Sequence, residues 1–122
     1  MAKQYNILIA DDEDALRNVL ASELGDDVLN VSAASDGEEA IAYLKKQKFH
    51  LALLDMKMPK HTGIEVLHYI HEQHLNIKVY MLTSMDDLTT ALEAKKLGAE
   101  GYLLKPYNID DVKDRVKEAL GL

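Results

Sequence analysis

Short apolar runs alternate with amphipathic stretches from one end of the chain to the other. The runs Ile7–Ala10, Leu51–Leu54, Val79–Leu82 and Tyr102–Leu104 carry almost no polar residue, and Val28–Ala33 is a fifth, more mixed run. Continuous apolar runs of this length predict strands buried on both faces of a parallel sheet, and the mixed one predicts an edge strand. Between them apolar residues recur at helical spacing. Leu16, Val19, Leu20 and Leu24 define a first helix, with Gly25 able to end it. Ala40, Ile41 and Leu44 define a second, after a turn at Asp36-Gly37, and Ile64, Leu67 and Ile70 a third. Leu88, Ala91, Leu92 and Leu97 form the thinnest stripe, closed by Gly98. Ile109, Val112, Val116 and Leu120 define the fifth helix, with Asn108 as N-cap and Asp110 and Asp111 in its first turn.

Strand–helix alternation predicts a (βα)₅ α/β fold: a doubly wound parallel sheet with helices on both faces. Right-handed crossovers leave few topologies, and the flavodoxin-like strand order 2-1-3-4-5 is the natural one, with the site where strand order reverses. The length of 122 residues fits one domain over 1–122, with no repeat or linker. The absence of cysteine excludes disulfides, thiol chemistry and Cys-zinc sites and suits a cytoplasmic location. No segment resembles a signal peptide or a membrane span. A net charge of −7 argues against direct nucleic-acid binding. The one basic cluster, Lys45-Lys46-Gln47-Lys48, falls in the last turn of the second helix, where cations favour the dipole.

The places where the runs stop carry the chemistry. Ile7–Ala10 stops at Asp11-Asp12, Leu51–Leu54 at Asp55, Val79–Leu82 at Thr83-Ser84 and Tyr102–Leu104 at Lys105-Pro106. In a parallel sheet all these ends share one edge, so carboxylates, a hydroxyl and an ammonium converge. Clustered carboxylates call for a hard cation, and Mg²⁺ takes one or two carboxylates together with phosphate oxygens. A carboxylate can also act as nucleophile and form an aspartyl phosphate. Lys105 would then pair with a phosphoryl oxygen and Thr83 would donate to another. Any one of these residues alone is more simply a helix cap or a surface charge. Their succession at four strand ends is not explained by capping.

With Asp11-Asp12, Asp55-Met56-Lys57-Met58-Pro59, Gly63, Thr83-Ser84 and Lys105-Pro106 in place, the whole chain resembles the receiver domain of two-component response regulators. The resemblance implies that Asp55 is the phosphoacceptor, Asp12 a direct Mg²⁺ ligand and Asp11 a ligand acting mainly through water. It implies a further ligand in the backbone carbonyl of Lys57. Thr83 resembles the switch hydroxyl, Tyr102 the switch aromatic, and Lys105 the phosphate-contacting lysine, with Pro106 after it through a cis bond. The implied donor is a histidine kinase or histidine phosphotransfer protein. The implied output is a face of helix 4, strand 5 and helix 5 that controls an effector protein or an output domain, with a phosphorylation-dependent homodimer left open. Such a module is no enzyme beyond its own phosphorylation and dephosphorylation. Two departures stand out. Thr62-Gly63 replaces the common Asp-Gly, where the glycine is expected to supply the turn. Lys57 and Met85 occupy variable positions that resemble those tuning the lifetime of the phosphoryl group.

A haloacid-dehalogenase-like phosphatase is the rival reading, with Asp11 or Asp12 as nucleophile, but it leaves Asp55 unexplained and lacks an acidic pair after a late strand. A pure scaffold would lack the acidic pocket or the lysine. His68, His71 and His74 read as a solvated helix face, because His71-Glu72-Gln73-His74 is one residue short of the H-E-x-x-H zinc pattern. Asp12-Glu13-Asp14 begins like a calcium loop but has Arg17 where that loop needs glycine. No output domain follows the fifth helix, which fits both a stand-alone module and a piece of a larger regulator.

Overall fold

The computed structural model describes residues 4–122. The strands are β1 (Tyr5–Ala10), β2 (Leu29–Ala34), β3 (Leu51–Asp55), β4 (Lys78–Thr83) and β5 (Gly101–Leu104). The helices are α1 (Asp14–Leu24), α2 (Gly37–Lys46), α3 (Gly63–Glu72), α4 (Leu88–Ala94) and α5 (Ile109–Leu120). Single 3₁₀ turns, Met85–Asp87 and Lys95–Leu97, bracket α4. Every strand pairing is parallel, and the order is β2-β1-β3-β4-β5. The expected flavodoxin-like α/β architecture is therefore the observed one.

Alternation along the strands builds two cores. Ile7, Ile9, Leu51 and Leu53 face α1 and α5, where Leu20, Leu24, Val112 and Val116 meet them. Leu8, Ala10, Ala52 and Leu54 face α2, α3 and α4, where Leu44, Val66, Leu67, Ile70 and Ala91 meet them. Both faces are covered, so the inner strands could be apolar at every position. Each fully buried leucine or isoleucine contributes about 1.5–3 kcal/mol. The register places Ala10 beside Leu54, Asp55 beside Leu82 and Thr83 beside Leu104. The four strand ends are thereby level, and the residues that follow them meet.

Several local expectations are corrected. The edge strand starts one residue later than its apolar run, and Val28 precedes it. Val19 and Leu92 lie off their stripes, 46% and 48% exposed. In α4 the sheet is met by Ala91 and Ala94 instead, whose small size brings the helix close. Gly25 ends α1 with extended backbone, φ −68°, not in the left-handed region, whereas Gly98 ends the α4 segment at φ 107° as expected. Asn108 caps α5 by accepting the Asp110 N–H at 2.7 Å.

Thr62-Gly63 also differs from expectation. Thr62 is the N-cap of α3 and forms a reciprocal capping box with Glu65, at 3.2 and 3.1 Å. Gly63 is the first helical residue and does not have positive φ. The glycine is needed for contact, not for a turn: a Cβ there would collide with the carbonyl oxygen of Asp55 and lie 2.9 Å from Met81 Cε. Gly63→Ala is therefore expected to cost about 2–3 kcal/mol through overpacking, against about 1 kcal/mol for loss of the cap in Thr62→Ala. Urea unfolding of both variants measures the difference. An unchanged midpoint for Gly63→Ala would mean that the Asp55 backbone moves aside at no cost.

Candidate functional site

β1 ends in two adjacent aspartates with opposite surroundings. Asp11 is fully buried, and Asp12 is exposed. The N–H of Glu13 donates to Asp11 Oδ1 at 2.9 Å, which fixes the carboxylate's orientation. Asp11 Oδ2 is buried and makes no hydrogen bond. Asp55, at the end of β3, is 7% exposed. Asp11, Asp12 and Asp55 bring carboxylate oxygens within 4.8 Å of one another, the one such cluster among the described residues. His68 and His71 on α3 and His74 in the turn after it are exposed and do not form one, so the three do not share one helix face as expected.

Lys105 holds this cluster together. Its Nζ lies 3.3 Å from Asp55 Oδ2, 3.3 Å from Asp11 Oδ2 and 3.8 Å from Glu13 Oε1. Burial works to lower the ammonium's pKa, but Asp55 and Asp11 outweigh it and hold it above its ordinary value. Burial pushes the Asp55 carboxyl up to about 7; Lys105 and the Lys57 backbone N–H pull it back, and Asp11 adds to the rise. A cavity of about 280 Å³ opens onto Asp55, lined also by Asp12, Glu13, Lys57, Ser84 and Asp87. The donor set fits a hard divalent cation. It is all oxygen and it is over-supplied with negative charge, three carboxylates against one lysine.

The structure brings Asp11, Asp12, Asp55, Lys57 and Lys105 together, but the two switch candidates stand apart. Thr83 is buried at the end of β4, and its hydroxyl donates to the Ser84 carbonyl at 3.1 Å. Tyr102 is half-buried on β5, packed against the core under α2, α3 and α4, and does not line the acidic cavity. The Lys105-Pro106 bond is cis.

Sequence reasoning overlooked three neighbours of the site. Glu13 shares Lys105 with the aspartates, and its place directly after Asp11-Asp12 was the available signal. Asp87 pairs with Lys57 at 3.4 Å, and Asp87 could have been found as the residue at the start of α4. Tyr107 has a buried hydroxyl with no partner. Burial raises its pKa, and Asp11, Asp55 and Glu13 push the same way. Nothing in the sequence distinguishes it from an ordinary aromatic that closes a core.

Two predictions follow from these environments. Between the ordinary carboxylate range and about pH 7, folded Asp55 retains a proton that the unfolded chain has lost. Folding stability therefore falls as pH rises through that window. Asp55→Asn is expected to be more stable than the parent by on the order of 2 kcal/mol above pH 7 without divalent cations. The gap should close below about pH 4, where Asp55 is protonated in both states. Urea titrations in chelator at both pH values measure it, and a gap independent of pH would contradict the assigned cause. Tyr107→Phe removes an unsatisfied buried hydroxyl and is expected to raise stability by about 1 kcal/mol under the same conditions. A loss of stability would mean that the hydroxyl is bonded in solution.

Residues 7–117 match the family described as response regulator receiver domain. The response regulator protein PilR of Pseudomonas aeruginosa is 36% identical over 115 residues, which are 94% of this chain and 26% of that protein. The sporulation initiation phosphotransferase F of Bacillus subtilis is 35% identical over 116 residues, 95% of this chain and 94% of that one. A CheY-like response regulator receiver domain protein from Methanospirillum hungatei superposes with a TM-score of 0.90 at 30% identity, covering 98% of this chain and 95% of that one. The chain thus spans about a quarter of the PilR protein and nearly all of the sporulation phosphotransferase. It is a member of the response regulator receiver domain family of two-component systems.

Proposed function

We propose that the chain, over 1–122, acts as one receiver module that accepts a phosphoryl group on Asp55. The observation that carries this reading is the Lys105 ammonium held 3.3 Å from both Asp55 and Asp11 at the edge of an open acidic cavity. Asp55 is the buried carboxylate that both pairs with Lys105 and opens onto the cavity. Asp11 is an unsuitable nucleophile, because one oxygen accepts the Glu13 N–H and the other faces Lys105.

The donor is a phosphohistidine of a histidine kinase or phosphotransfer protein. An Asp55 oxygen attacks phosphorus, and the new P–O bond forms as the P–N bond breaks. The departing electron pair stays on the imidazole nitrogen, which takes a proton from water. Lys105 offsets charge on one phosphoryl oxygen, and the Thr83 hydroxyl turns from the Ser84 carbonyl to another. Asp12, Asp55 and the Lys57 carbonyl would hold Mg²⁺ directly and Asp11 largely through water, and the bound ion would supply the charge neutralisation such transfers need. Tyr102 turns inward as Thr83 leaves its resting bond. The α4-β5-α5 face then changes and signals to an effector protein or an output domain. Hydrolysis of the acyl phosphate by water resets the module, so no other catalysis is expected.

Incubation with acetyl phosphate and Mg²⁺, followed by intact mass, tests the reading. One added phosphoryl group is expected in the parent, with none in chelator and none in Asp55→Asn. Labelling that survives Asp55→Asn, or no labelling of the parent, would remove Asp55 from its role.

A further inference from the structure

Residues 56–62 join β3 to α3 and include Lys57, whose backbone carbonyl is a proposed Mg²⁺ ligand. Both ends of this segment are tied down, the Met56 N–H to the Leu82 carbonyl and the Gly63 N–H to the Met56 carbonyl. Met58 adds an apolar anchor in the core. The middle is tied to a different element, the start of α2. The Gly37 N–H donates to the Pro59 carbonyl at 3.3 Å. Asp36 caps α2 through Oδ1, and its Oδ2 lies 3.7 Å from Lys60 Nζ. Glu38 Oε2 lies 3.5 Å from the same ammonium.

Two residues at this contact are of the type the contact needs and the local backbone does not. Gly37 is helical and has no positive φ, so its own conformation would accept a side chain. The approach of the other segment would not: a Cβ there would collide with the His61 carbonyl oxygen and lie 2.5 Å from His61 Cβ. Lys60 is the converse case. Its φ is 72°, in the left-handed region that glycine enters at less cost than lysine. The other non-glycine with positive φ among the described residues, His74, follows the end of α3, but Lys60 ends no helix. A side chain kept where glycine would be less strained points to a use. The use on view is the pairing with Asp36 and Glu38.

We infer that Gly37 and Lys60 form a clasp between α2 and the β3–α3 segment, and that this clasp sets Mg²⁺ affinity by fixing the Lys57 carbonyl. Both are positioning residues. The inference rests on the proposed Mg²⁺ site. Mg²⁺ demands near-ideal ligand placement, and a backbone carbonyl is placed only by holding the chain on both sides of it. Before Lys57 the chain is held by Met56. After it, the first backbone hydrogen bond to another element is the one from Gly37 to Pro59. Lys60 and Glu38 are more than half exposed, so their pairing adds little to global stability. Its loss should therefore be felt in the segment and not in unfolding.

Calorimetric titration with MgCl₂ tests the clasp, beside urea unfolding and amide exchange at Gly37, both in chelator. Lys60→Met keeps the stem and removes the charge. It should weaken Mg²⁺ binding about two- to threefold and speed Gly37 exchange about twofold, with an unchanged urea midpoint. Lys60→Arg should restore both. Gly37→Ala should weaken Mg²⁺ binding on the order of fivefold, as the segment shifts away from the new methyl group. The Lys60 variants decide the matter alone if Gly37→Ala does not fold. Parental Mg²⁺ affinity in the folded variants, or parental Gly37 exchange in Lys60→Met, overturns the clasp. A loss of affinity that Lys60→Arg does not restore, or that an equal loss of stability accompanies, overturns the positioning role of Lys60. A parent that binds no Mg²⁺ overturns the proposed metal site, and the clasp's role in it.

Discussion

The site depends on one ammonium that keeps buried like charges together. Asp11 and Asp55 are both withdrawn from water at adjacent strand ends, where their mutual repulsion is poorly screened. Lys105 reaches both at the same distance. A buried ion pair of this kind is a weak source of stability, since desolvation offsets most of the attraction. Its value is positional. The lysine holds two carboxylates side by side at the edge of the pocket, and the fold tolerates the standing repulsion because a large two-sided core surrounds it.

That core also explains how finely the site is placed. β3 is buried along its whole length, so Asp55 is fixed from below by Leu53 and Leu54 and from the side by the start of α3. Gly63 lets the first turn of α3 press against the Asp55 carbonyl. The Met56 N–H bonds to the Leu82 carbonyl, and the Gly63 N–H to the Met56 carbonyl, both at 3.1 Å. The segment leaving Asp55 is thus tied to β4 and back to α3 within a few residues. A side chain on such a segment keeps its position while its charge state and its partners change.

The fold was readable because its signals are periodic. Buried strands and helix stripes repeat over many residues, and the alignment of strand ends follows from parallel topology alone. The convergence of Asp11, Asp12, Asp55 and Lys105 was readable for the same reason, as each stands at the first or second polar position after an apolar run. The failures involve single contacts. Val19 and Leu92 are apolar residues at plausible helical spacing, yet a rotation of the helix leaves each in solvent. Gly63 looks like a turn residue, and only the approach of Asp55 reveals its role. The orphaned Tyr107 hydroxyl and the Ser84-directed Thr83 hydroxyl depend on where one oxygen points, which no sequence pattern encodes.

The helix starts separate scaffold from moving parts. α2, α3 and α5 begin with side-chain caps from Asp36, Thr62 and Asn108. α1 and α4 begin at Glu13 and Asp87 with no such cap. Both uncapped helices follow strands whose ends build the site, and both acids are turned toward its lysines, Glu13 to Lys105 and Asp87 to Lys57. Both acids therefore contribute to the electrostatics of the pocket in place of a side-chain cap. Of the two, α1 is anchored by Leu20 and Leu24, whereas α4 is short, bracketed by 3₁₀ turns and held mainly by Ala91 and Ala94. α4 is therefore the helix with the least apolar packing to hold it, and its start lies beside the pocket that opens onto Asp55.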